Sequence, residues 1–241
     1  LYNLNKLIEE ELTSSGIDKS FADNVKDGLK RIIYTPLGEQ FNNQRLIDIK
    51  TKDLIKEIKF DLPISINGRS ITSEDISKCF LLSRDYEFGD DYAELVKRLN
   101  IYSKGFHSGC IDCLLKIKGN DNLSKWWIID WKSNFIGNKD DIESLPQNYN
   151  FKNMRDEMIK HHYPLQSHLY LLAVHRLLKW RLKDYNCKKN LGGYIYIFLR
   201  GLSSEEKDYE LNNKKFKFGI FSSKAPLDRI IYLDKLFNNE I

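Results

Sequence analysis

The chain has 241 residues, 41% of them hydrophobic and 30% charged, with a net charge of +4. That is enough apolar content for one large domain with a real core, and the mild positive charge is compatible with a phosphate-backbone partner without demanding one. No apolar run reaches the ~18 residues of a membrane span, no signal-peptide pattern opens the chain, and Cys79, Cys110, Cys113 and Cys187 form no disulfide framework. The expected setting is therefore reducing and cytoplasmic. The first residue is Leu1, so the chain reads as a fragment of a longer polypeptide.

Leu4, Leu7, Ile8 and Leu12 recur at helical spacing, and Ser14-Ser15-Gly16 ends that pattern. Phe21, Val25, Leu29, Ile32 and Ile33 predict a second helix, stopped by Pro36. These helices, within residues 1–50, read as packing elements. Ile58, Phe60 and Leu62 alternate with Lys59 and Asp61 and predict a strand, and Glu57 before it reads either as a solvated edge residue or as a glutamate facing an active site, the first being favoured. Residues 73–100 are polar and mixed, and read as short helices in an insertion with Ser73 as N-cap.

Gly105 to Asn134 is the most informative stretch. Two apolar runs, Cys110 to Leu115 and Trp126 to Lys132, flank the turn-like Lys118-Gly119-Asn120-Asp121-Asn122, so the stretch predicts a β-hairpin. Each run carries an acid, Asp112 and Asp130, among apolar neighbours. An ionised carboxylate there is costly without a compensating partner. Strand alternation puts Asp130 and Lys132 on one face, roughly 7 Å apart along the strand, and turns Trp131 away. If Asp112 sits opposite Asp130, two carboxylates converge beside one ammonium. Two acids at that range repel unless a divalent cation lies between them, and Mg²⁺ takes such oxygen ligands.

Downstream, Phe135 to Asn150 reads as a loop, and 151–183 as helix interrupted near Tyr163-Pro164. Gln166 and Tyr170, at i and i+4, share a helix face. Gly192 to Leu199 is nearly continuous in apolar residues, as a buried central strand would be. Phe216 to Phe221 predicts another strand and Leu227 to Phe237 a closing helix. The fold class expected is α/β in one domain over 1–241, with a mixed central β-sheet flanked by helices.

Gly105-x3-Gly109-x-Ile111-Asp112, then Ile129-Asp130-Trp131-Lys132-Ser133-Asn134, then Gln166-x3-Tyr170, resembles the RecB-type nuclease module of the PD-(D/E)xK superfamily. The stretch His161-x-Tyr163-x-Leu165-Gln166-x2-Leu169-Tyr170-x-Leu172-Ala173-x-His175-Arg176, the run Gly192-Gly193 to Arg200-Gly201, and Gly219-Ile220-Phe221 are similar to the C-terminal nuclease domains of exodeoxyribonuclease V beta subunits. The resemblance is dense from Gly105 to Phe221 and thin before it. It implies a restriction-endonuclease-like core and Mg²⁺-dependent DNA hydrolysis in double-strand break repair by recombination. Asp112 and Asp130 would hold the metal with the Trp131 backbone carbonyl, Lys132 would be catalytic with them, and Gln166 and Tyr170 would support substrate. It also implies RecC-like and RecD-like partner subunits, a RecA-like recombinase as a further partner, and a helicase region that uses ATP outside these residues. The alternatives are a catalytically weak or inactive docking module of the same complex, and a standalone endonuclease.

This sequence departs from the pattern in two ways. Pro164 stands where the family has an acid, and no histidine precedes His107, whereas the family uses an upstream histidine as a further metal ligand. The family's histidine would fall before Leu1, which leaves this fragment weak in metal binding. His161 and His162 read as DNA-side or structural residues. Cys110-x2-Cys113 is read as a decoy, because strict alternation turns residues three apart to opposite faces.

Overall fold

In a computed structural model, all residues are described except 1, 67, 84–85, 120–121, 138–144, 204–207 and 212–213. Two predicted features fall partly outside them: the hairpin turn at 120–121 and the loop after Asn134 at 138–144. In chain order the elements are α1 (Tyr2–Ser14), α2 (Ala22–Tyr34), β1 (Leu54–Ile64), β2 (Ile71–Thr72), α3 (Ser73–Leu81), α4 (Asp90–Lys97), β3 (Tyr102–Ser103), β4 (Gly105–Lys118) and β5 (Ser124–Lys132). Then follow α5 (Phe151–Lys160), α6 (Tyr163–Arg181), α7 (Cys187–Asn190), β6 (Leu191–Phe198), β7 (Tyr209–Leu211), β8 (Lys214–Phe216), β9 (Ile220–Lys224) and α8 (Leu227–Phe237).

A five-stranded sheet runs in the order β1-β4-β5-β6-β9. Only β5 and β6 are parallel; the other neighbours are antiparallel. The fold is thus α/β with a mixed sheet flanked by helices, as expected. Every residue of β6 is buried, which is what its unbroken apolar run required.

The sheet separates two apolar clusters. On one face Leu114, Ile128, Tyr194, Tyr196 and Phe198 pack under α3, α4, α5, α6 and α8. On the other, Leu115, Trp127, Ile129, Ile195 and Ile197 are covered by Leu37, Phe41 and Leu202. Phe41 stands edge-on to Trp127, with ring centroids 4.7 Å apart.

Alternation along β4 breaks once, at Asp112. Ile111 and Leu114 both face the larger cluster, while Cys113 faces the smaller. On β1 the matching residue is Glu57, which is exposed and held at φ 51°; the pairing skips from Lys56↔Cys113 to Ile58↔Ile111. A left-handed glutamate in a strand is unusual, and here it re-aims both strands at once. The break revises the strict-alternation reading of Cys110 and Cys113, whose side chains fall on the same side of the sheet. Cys110 is nonetheless exposed and Cys113 buried.

Three further differences have local causes. The cap of α3 is Thr72, one residue before Ser73: its hydroxyl accepts the Asp75 N–H while the Asp75 carboxylate accepts the Thr72 N–H. The segment 73–100 supplies Ile76, Phe80, Tyr92 and Val96 to the larger cluster, so it is part of the core. The strand expected over Phe216–Phe221 is two strands, because Gly219 at φ 75° turns the chain between β8 and β9.

Gly109 faces Phe60 across the β1–β4 pair. A Cβ at Gly109 would stand 2.4 Å from the Phe60 ring, and that ring packs edge-on to Tyr170 at 5.7 Å. Gly109→Ala is expected to lower stability by about 1–3 kcal/mol through overpacking. In a chain of this length that is a fall of roughly 2–12 °C in Tm. Scanning calorimetry checks it, and Phe60→Leu in the same chain should restore most of the loss.

Candidate active site

The β4–β5 ladder runs in register to Cys113↔Ile129, which brings Asp112 level with Asp130. Beyond that point β5 pairs with β6 through Trp131↔Ile197 and Lys132↔Phe198, while β4 continues along β1. In the gap between them the Asp112 carboxylate accepts the Trp131 backbone N–H at 3.0 Å. A strand residue points its N–H and C=O to the same side. The Trp131 carbonyl therefore aims into the gap beside Asp112.

Asp130 lies on the helical face of the sheet and is 2% exposed. Lys132 Nζ is 2.5 Å from its Oδ2. That contact pairs the ammonium with a buried carboxylate oxygen and draws the carboxyl back toward its ionised form. Burial pushes the Asp130 carboxyl up to about 6, and the Asp112 charge adds to this against the pull of Lys132. Tyr170 is pushed up to about 12 by its burial and by the charges of Asp130 and Asp112.

From α6, Gln166 and Tyr170 reach the same place. Lys132 Nζ donates to Gln166 Oε1 at 3.3 Å, and Gln166 Nε2 donates to the Tyr170 hydroxyl at 3.2 Å. The structure thus gathers Asp112, Asp130, Lys132, Gln166 and Tyr170 at the end of the β4–β5 hairpin.

The sequence reading missed other residues here. Tyr196 donates from its hydroxyl to Gln166 Oε1 at 3.0 Å, and Tyr163 lays its ring 3.9 Å from Lys132 Nζ. Tyr163, Gln166 and Tyr170 stand at i, i+3 and i+7, a helix-face signal that the sequence carried. Asn134 links the strand to the helices, accepting the Tyr163 hydroxyl at 3.2 Å and donating to Glu157 Oε1 at 3.0 Å. Glu157 also pairs with His161 at 2.8 Å, while His162 Nδ1 lies 3.3 Å from the Tyr92 hydroxyl.

The donor set suits a hard cation: two carboxylates, one of them buried, and a backbone carbonyl. Among the described residues no cluster of three or more His, Cys, Asp or Glu side chains gathers for a metal. Water or a substrate phosphate would have to complete the shell.

No protein-family model matches the chain. It is 30% identical over 217 residues to the RecBCD enzyme subunit RecB of Mycolicibacterium smegmatis, covering 86% of this chain and 19% of that protein. It is 29% identical over 236 residues to RecB of Buchnera aphidicola subsp. Baizongia pistaciae, covering 98% and 17%. The chain is a relative of RecB. RecB of Escherichia coli K12 is 25% identical over 230 residues, covering 95% of this chain and 17% of that subunit. The chain thus spans about a fifth or less of the length of these RecB subunits.

Proposed function

We propose that this chain is the nuclease domain of a RecB-like helicase–nuclease, hydrolysing phosphodiester bonds of DNA with Mg²⁺. The convergence of Asp112, Asp130 and Lys132 at the opened end of one hairpin carries this reading. The RecB relatives support it.

In this reading Asp112, Asp130 and the Trp131 carbonyl hold the cation, which supplies Lewis acidity and an activated water when bound. Lys132 orients the attacking water and offsets the charge that develops on the phosphorane-like transition state. Gln166, held between Lys132 and Tyr170, fixes the ammonium and supports the DNA backbone beside it. The rings of Tyr163 and Tyr196 keep the Lys132 charge in a low-dielectric setting, where each electrostatic contact is stronger.

The whole protein would act in double-strand break repair, with RecC-like and RecD-like subunits, an ATP-driven helicase region and a RecA-like recombinase as a downstream partner. Lys132→Ala in the full-length protein tests the chemistry. Mg²⁺-dependent cleavage of linear DNA is expected to fall about 10²- to 10³-fold, with ATP hydrolysis unchanged. Undiminished cleavage would remove Lys132 from the mechanism. DNA and metal binding without cleavage by the wild type would favour a docking module.

A further inference from the structure

We propose that Tyr163 and Tyr196 form an aromatic cradle that positions the Lys132 ammonium, with Tyr163 its main wall; the inference rests on the nuclease reading. The Lys132 side chain is 12% exposed, so little water surrounds its charge. Its Nζ lies 3.9 Å from the centre of the Tyr163 ring and 5.2 Å from that of Tyr196. Both distances are within the range at which a ring face attracts a cation, and the attraction strengthens when the cation is desolvated.

The cradle is itself held from several sides. The two tyrosine rings stack at 5.7 Å, and the Tyr196 hydroxyl donates to Gln166 Oε1 and lies 3.3 Å from the Tyr163 carbonyl oxygen. The Tyr163 hydroxyl donates to Asn134, which stands two residues beyond Lys132. His161 stacks on Tyr163 at 5.3 Å, and its imidazole reaches Glu157, the acceptor for Asn134. The start of α6 is thus tied to the end of β5.

The chemistry gives this arrangement a purpose. Lys132 is paired with Asp130, the residue assigned to the cation. Once Asp130 turns to a cation, a flexible four-carbon side chain would lose its charged anchor and keep the long contact with Gln166 Oε1. A third carboxylate would hold it but would cancel the positive charge needed at the phosphate. Ring faces hold an ammonium without a formal negative charge, so the charge stays available. Tyr163 and Tyr196 are therefore positioning residues acting through Lys132.

The test compares wild type with Tyr163→Phe and Tyr163→Leu. Proton NMR of this chain, with the Lys132 signals assigned by their loss in Lys132→Arg, reads the ring current on the lysine ε-methylene. Upfield-shifted ε-protons are expected in the wild type and in Tyr163→Phe. In Tyr163→Leu they should return toward the ordinary lysine position. In the full-length protein, kcat for DNA cleavage should fall about 10- to 30-fold in Tyr163→Leu, with KM within about twofold and kcat largely restored in Tyr163→Phe. Ordinary ε-proton shifts in the wild type would overturn the cradle without any variant having to fold. So would equal kcat in Tyr163→Leu and wild type, or a phenylalanine variant as poor as leucine. Shifted ε-protons in a chain that never cleaves DNA would keep the cradle and reject the nuclease reading.

Discussion

Asp130→Asn is expected to stabilise the metal-free chain while ending cleavage. The Asp130 carboxyl is raised from 3.8 to about 6, with burial as the largest cause. Holding it ionised at neutral pH costs folding about 3 kcal/mol relative to a neutral group. The sign follows from proton counting. Between pH 3.8 and 6 the folded state holds this proton and the unfolded state does not, so this group adds stability as pH falls through that window. Above pH 6 both states are ionised and the cost is constant. Asparagine removes the cost and its pH dependence but leaves Lys132 without its nearest counter-ion. A net gain of about 1–2 kcal/mol at pH 7.5 is expected, or roughly 2–8 °C in Tm. The same substitution in the full-length protein should lower Mg²⁺-dependent cleavage by about 10³-fold. Thermal melts from pH 4 to 8 beside a cleavage assay check both halves. A variant less stable than wild type at pH 7.5 would show that Asp130 contributes more as a partner of Lys132 than it costs as a buried charge.

Gly193→Ala should have the largest effect on folding. Gly193 sits at φ 156° in β6, opposite Lys224 of β9. A Cβ there would stand 2.0 Å from the Ser223 carbonyl oxygen and 2.7 Å from the Trp127 ring. The oxygen belongs to the backbone of a paired strand and cannot step aside alone. Backbone strain of about 1–3 kcal/mol and overpacking of similar size add to roughly 4 kcal/mol. The expected result is a Tm lower by about 8–16 °C, or loss of soluble protein. A Tm within about 2 °C of wild type would mean that β9 shifts freely against β6.

The central residues were legible because they obey the two periodicities a sequence displays. Asp130 and Lys132 share a strand face, and Gln166 and Tyr170 share a helix face. Asp112 was legible as an acid among apolar residues, but the aim of its half-buried carboxylate was not. That depends on Glu57 at φ 51°, and glutamate carries no signal for a left-handed conformation. Tyr163 was hidden beside Pro164 in what reads as a helix break, although it lies three residues before Gln166. The 73–100 segment read as polar short helices in an insertion, and what packs it is a tertiary device. Arg229 on α8 is fully buried and donates to the carbonyls of Leu82, Ser83, Glu87 and Phe88, drawing that segment into the core. Nothing in the local pattern of α8 marks that arginine as buried.

Calorimetric titration of Mg²⁺ into the full-length protein and into its Asp130→Asn variant, at pH 7.5, tests the central claim most directly. Saturable binding by the wild type, weakened about 10- to 100-fold or lost in Asp130→Asn, is the predicted result. Equal binding by both chains, or none by either, would contradict a metal centre built on Asp112 and Asp130.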